Sequence, residues 1–158
     1  MIINIIRSIK NILRWIPIIW KDRDWDYIFL YKVLYFKLSN MEKYLRNHGH
    51  HVDSEKDADK IKMCVNLLNR LIDDNYYDMV FKKHNKKWGE PKFNCVDIKN
   101  KANCSELKIV RSNVVTKEDE KKENNEYRNL MQTENDLRQQ DIDYLFETIR
   151  KYHQKWWD

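Results

Sequence analysis

The sequence predicts a mainly α protein, an antiparallel bundle of three to four long helices with a small β-hairpin insertion. Three observations point there. Only 2 Gly and 2 Pro occur in 158 residues, too few for the many tight turns of a sheet-rich fold. Apolar residues recur at three- and four-residue spacing over most of the chain, the helical period. That period lapses between residues 90 and 115, where apolar and polar residues alternate loosely instead. The length suits a single domain spanning 1–158.

The first element is an amphipathic N-terminal helix over 1–16. Ile2, Ile5, Ile6, Ile9, Ile12, Leu13 and Ile16 share one face, and Arg7, Lys10 and Arg14 lie elsewhere around it. Pro17 disfavours helix at the residue before it and predicts the end there. The stretch is too short and too charged to span a bilayer. Basic amphipathic helices can lie on membranes, but this face is expected to pack on this protein or a second copy, and no membrane partner is expected.

Two helices over 24–48 and 54–87 follow, predicted to form an antiparallel hairpin. Asp24 is the candidate N-cap, with Asp26 in the first turn. Tyr27, Tyr31, Leu34, Leu38, Met41 and Leu45 follow heptad-type steps, and Gly49 suits the stop. In the partner helix Ile61, Val65, Leu68, Ile72 and Met79 share a seam widened by Cys64, Leu71 and Val80.

Residues 90–115 predict a β-hairpin turning at Lys99–Ala102, built from "KFNCVDIKN" and "CSELKIVRSNV". A C-terminal helix over 116–157 closes the chain. Thr116 and the acids behind it form a cap. Its first half is expected to face solvent, and Ile142, Leu145, Phe146, Ile149, Tyr152 and Trp156 are expected in the core.

Charge is distributed unevenly. The net is +5, yet residues 82–111 carry nine cations against three carboxylates, and 116–158 carry eight against eleven. A nucleic-acid footprint needs a more continuous basic stripe than this. Three cysteines, Cys64, Cys95 and Cys104, are an odd count, and with no signal peptide evident they suit a reducing cytoplasm.

"HGHHVDSEKD", residues 48–57, clusters three of the five histidines. They fall between helices and lack the i, i+4 spacing by which HExxH aims two imidazoles at one ion, so no metal site and no cofactor are expected. The favoured reading is a loop followed by a helix cap. An enzymatic alternative, a metal-dependent nucleotide hydrolase, would draw on His50, His51, His84 and the pair Asp73/Asp74. Glu134 and Asp141 continue the line of Tyr127, Leu130, Leu137 and Tyr144, which turns them inward. Buried carboxylates need partners, and Arg138, Arg70 and Arg111 are the candidates. Neither a Gly-rich phosphate loop nor a GxSxG, CxxC or EF-hand pattern occurs.

The ordered set "WKDRDWDY", "HHVDSEKDADKI", "RLIDDNYYD", "KWGE" and "RQQDIDYLF…WWD" resembles a group of small proteins of unknown function from tailed bacteriophages, over nearly the whole chain. The resemblance implies an accessory product in the cytoplasm of an infected bacterium, and by analogy an anti-defence sponge that holds a nucleotide-type immune signal without cleaving it. In that reading Tyr76, Tyr77, Trp156 and Trp157 stack on a base, Lys60, Arg70, Arg111 and Arg138 meet phosphate, and His50 and His51 add donors. No catalytic residue is assigned, and a homo-oligomer is expected. Two other readings remain open: a nucleic-acid-associated accessory protein using 82–111, and an inhibitor that docks on a host protein through the first helix.

Overall fold

Five helices and one two-stranded antiparallel sheet make up the computed structural model, which describes residues 2–97 and 105–157. In order they are α1 (Ile2–Ile19), α2 (Ile28–His48), α3 (Ser54–Asp73), α4 (Tyr76–Trp88), β1 (Lys92–Asp97), β2 (Ser105–Val110) and α5 (Lys117–Tyr152), with a 3₁₀ turn at His153–Lys155. The chain divides into two compact units. One holds Met1–Asp74 with Gln140–Asp158, and the other holds Asn75–Gln139. No helix among the described residues is long and apolar enough to cross a membrane.

In the first unit α2 and α3 pack along each other as a helical hairpin. Leu38 and Leu45 of α2 meet a buried stripe of Ala58, Ile61, Cys64, Val65, Leu68 and Leu71 on α3. Two boundaries differ from the sequence reading. Proline removes one N–H, so Pro17 leaves only the carbonyl one turn back unserved. The helix therefore continues to Ile19, and Trp20 still donates to Ile16 O at 2.9 Å. The second helix begins at Ile28, not residue 24, because Asp26 does the capping: its Oδ1 accepts from Ile28 N at 3.0 Å. Tyr27, placed in the seam by spacing, thus precedes the helix and is exposed.

The expected helix 54–87 is two helices. Asp74 sits in the left-handed region at φ 49° and ends α3, and an Asp–Asn pair tolerates that conformation better than most residues. The break resets the phase. Met79 becomes exposed, and Tyr76, Phe81, His84 and Trp88 form the buried face of α4 instead.

In the second unit β1 and β2 pair with Lys92 opposite Val110 and Cys95 opposite Leu107. The expected turn at Lys99–Ala102 and Cys104 lie outside the described residues. α5 opens on a reciprocal capping box: Thr116 Oγ1 accepts from Asp119 N at 3.1 Å, and Asp119 Oδ2 accepts from Thr116 N at 3.1 Å. Those bonds to the Thr116 hydroxyl and amide hold the Asp119 carboxyl below its usual range. The first half of α5 is not wholly solvent-facing, because Glu123 and Glu134 are buried. Further on Leu145 and Trp156 are buried as expected, while Phe146 turns outward.

Candidate functional site

Three buried polar groups of the second unit, His84, Arg111 and Glu123, meet at one place, where the end of α4, the loop after β2 and the start of α5 come together. The loop is fastened by the last turn of α4, whose carbonyls have no partners within the helix. Asn113 supplies them: its N–H donates to Trp88 O at 3.1 Å and its Nδ2 to Lys87 O at 2.9 Å. Gly89, at φ 87°, swings the chain out of α4. It brings its carbonyl to Arg111 Nη1, which donates to it at 2.6 Å and to Asn85 Oδ1 at 2.8 Å.

Arg111 is buried, with 2% of its side chain exposed. Its Nε lies 2.7 Å from Glu123 Oε1, an ion contact whose N–H is not aligned for a hydrogen bond. Its Nη2 has no hydrogen-bond partner among the described residues. Glu123 Oε1 also accepts from the ring of His84, whose Nε2 lies 3.1 Å away. The other ring nitrogen, Nδ1, stands 3.5 Å from Glu126 Oε2. Glu126 accepts from Lys87 Nζ at 2.5 Å and from the Trp88 indole at 2.7 Å, and these two bonds hold its carboxyl below the ordinary value. An aromatic wall backs the cluster: Phe81 stacks on Tyr77 at 4.3 Å and tilts against Tyr127 at 5.3 Å. Burial pushes the Tyr127 hydroxyl pKa upward.

Arg111, Glu123 and Tyr127 also line a groove of about 400 Å³, with Ile109, Val110, Val114, Val115, Thr116, Lys117, Glu120 and Asn124 around it. That volume falls within the range of small-molecule sites. Two cations, Arg111 and Lys117, face two carboxylates, Glu120 and Glu123, so the lining is close to neutral. Both nitrogens of His84 are turned toward carboxylates, which leaves the ring without the open face a base or nucleophile activator needs. No group of three or more His, Cys, Asp or Glu able to hold a metal occurs among the described residues.

No family model, no curated protein and no solved structure matches this chain.

The ten candidate residues divide between the two units. His50, His51, Lys60, Arg70, Trp156 and Trp157 belong to the first, and Tyr76, Tyr77, Arg111 and Arg138 to the second. Most of the cations already face carboxylates. Arg70 binds Asp141 with both arms, Nε at 2.8 Å from Oδ2 and Nη2 on Oδ1. Arg138 donates to Glu134 at 2.9 Å and lies over the Tyr76 ring at 5.3 Å. Lys60 reaches Asp57 at 3.2 Å and covers the Tyr152 ring at 4.0 Å. His51 leans on the same buried Asp57 at 3.4 Å, and His50 is exposed. Of the cluster, His51 braces the start of α3, while His48 stacks on Tyr44 of α2. Asp53, at the N-cap, makes no side-chain cap bond and instead pairs with Lys56 at 2.9 Å.

Trp156 is buried beside Lys37, Asn40, Met41, Tyr44 and Leu45, where a hollow of about 220 Å³ remains. Trp157 is 72% exposed. The inward carboxylates Glu134 and Asp141 are buried and paired as the spacing suggested. Glu123 was missed, although it lies four residues before Tyr127 and extends that same line.

Proposed function

We infer that the protein is a non-catalytic binder of a small nucleotide-type ligand, held at the Arg111 groove of the second unit. One observation carries this: a buried guanidinium with an unpartnered amino group on the wall of a ligand-sized groove. Leaving a buried donor unsatisfied costs about 1–3 kcal/mol, and a ligand phosphate oxygen that parts the groove wall over Nη2 would recover it. Lys117 adds a second cation, the Tyr127 ring a stacking surface, and Asn124 an amide able to read a base edge. The paired Glu120 and Glu123 work against a highly charged guest. They favour a phosphodiester with one negative charge per phosphate, the chemistry of a cyclic nucleotide, over a triphosphate. The absence of an exposed base or nucleophile arrangement at His84 favours retention without cleavage.

The resemblance to tailed-phage accessory proteins gives this chemistry a setting, the sequestration of an immune signal in the cytoplasm of an infected host. Equilibrium dialysis against cyclic mono- and dinucleotides, with nucleoside triphosphates alongside, tests it. The expected result is saturable uptake of a cyclic species that heat denaturation returns chemically intact. Recovery of a hydrolysed product, or uptake of none of the panel, would overturn the reading.

A further inference from the structure

The apolar face of α1 is uncovered. Ile5, Ile9, Ile12, Ile16 and Ile19 are each between 39% and 61% exposed, and Ile6 and Leu13 beside them are as open. The helix touches α2 by a different side. Trp15 meets the Phe36 ring edge-on at 4.7 Å, and Arg14 Nη2 donates to Asn40 Oδ1 at 2.5 Å. Along α1 only Trp15 and Ile18 are half-buried among the residues whose exposure is described. Of the two expected coverings, this protein or a second copy, the single chain does not supply the first.

The spacing of the face says what covers it. Ile5, Ile9, Ile12, Ile16 and Ile19 step by 4, 3, 4 and 3, and Ile2 precedes them in register. Those are the a and d positions of a heptad, all isoleucine. Isoleucine at both positions disfavours two parallel strands and shifts preference to three or four. Ile6, Leu13 and Trp20 fall at the neighbouring e position, which widens the stripe beyond a two-stranded seam. Arg7 and Arg14 fall at f, the position farthest from the seam, and Lys10 at b on the same outer side, so like charges on neighbouring helices stay apart. A lipid surface would be served by any apolar stripe backed by a basic face; it does not call for a seam of one β-branched residue kept in heptad register, which is what a helical partner requires.

We propose that α1 is an assembly helix that joins three copies of this chain in a parallel coil through its isoleucine seam. The 18 residues of α1 fall short of the roughly three to four heptads of a sustained coil, so the full chain is the object to test. Light scattering on the full-length protein at rising concentration should give three times the 19.6 kDa chain mass. Ile9→Lys and Ile12→Lys together should return it to one chain mass. Both side chains are exposed in the single chain, so the helical circular dichroism of the remainder should persist. A single-chain mass at every concentration, any other stoichiometry, or a trimer that survives both lysines would overturn the proposal. So would a lone chain that co-sediments with anionic vesicles and loses that binding in the double variant.

Discussion

Replacing Arg111 by Gln keeps a donor at the site but removes its charge, and two consequences separate there. Glu123 loses its cation while still buried, and breaking a buried pair costs about 3–5 kcal/mol, so thermal stability should fall. Binding of a phosphodiester should weaken by about tenfold or more, because a charged hydrogen bond is worth roughly 1.5–3 kcal/mol. Lys117 is exposed and isolates the second effect: Lys117→Gln should lower affinity in dialysis with the melting temperature unchanged. Unchanged affinity in both variants would remove the groove from the argument. Glu126 gives a pH signature. Its carboxyl is depressed by Lys87 first and Trp88 second. Its contribution to stability is therefore present above the ordinary value of 4.5 and is lost as pH falls through the lower folded value. Acid denaturation of Glu126→Gln should be flatter over that interval than that of the parent. The cysteines differ in the same physical terms. Cys64 is fully buried, and burial pushes its thiol up to about 11, whereas Cys95 is exposed. With Cys104 replaced by Ser, a thiol reagent at neutral pH should label Cys95 at once and Cys64 only after unfolding.

At the scale of elements, the α2–α3 hairpin should tolerate core truncation poorly. Leu68 is fully buried, so Leu68→Ala should cost about 2–5 kcal/mol in a urea titration. A smaller loss would mean that the site collapses around the cavity. This hairpin was legible because its spacing is regular and its stop is a glycine. The break between α3 and α4 was not, since an apolar line through Val65, Leu68 and Ile72 runs on to Met79 without interruption. A single left-handed Asp74 rephases everything after it, and backbone conformation at one polar residue leaves no mark in a hydrophobic pattern. The same holds for Pro17, whose local bias against helix is real but is outweighed once the flanking hydrogen bonds form. Candidate-site residues divided on similar lines. The inward turn of Glu134 and Asp141 could be read from their place in an apolar row. The convergence of Arg111 and Glu123 could not, since it depends on how the loop at 111–116 is pinned to α4.

For the molecule as a whole, the sequence shows a basic middle and an acidic C-terminal helix, and the second unit brings part of that complement together. Lys87 and Arg111 from the basic stretch are occupied by Glu126 and Glu123 of α5. Cations so engaged are withdrawn from any polyanion. A gel-shift titration with duplex DNA at about 150 mM salt should therefore show only weak binding with a shallow salt slope. Tight, steeply salt-sensitive binding would instead favour the nucleic-acid reading. Beyond that pairing, the uneven charge of the chain had no single structural meaning, because surface charges move freely among partners that sequence order does not reveal.

Gly89 lies at a φ that side-chain-bearing residues avoid, and the space a β-carbon would need is filled by the hydroxyl of Ser112. One added methyl would push the bend away and take with it the carbonyl on which Arg111 rests. The groove could thus be silenced by a change that touches none of its walls, and Gly89→Ala is where a screen for loss of function should find it.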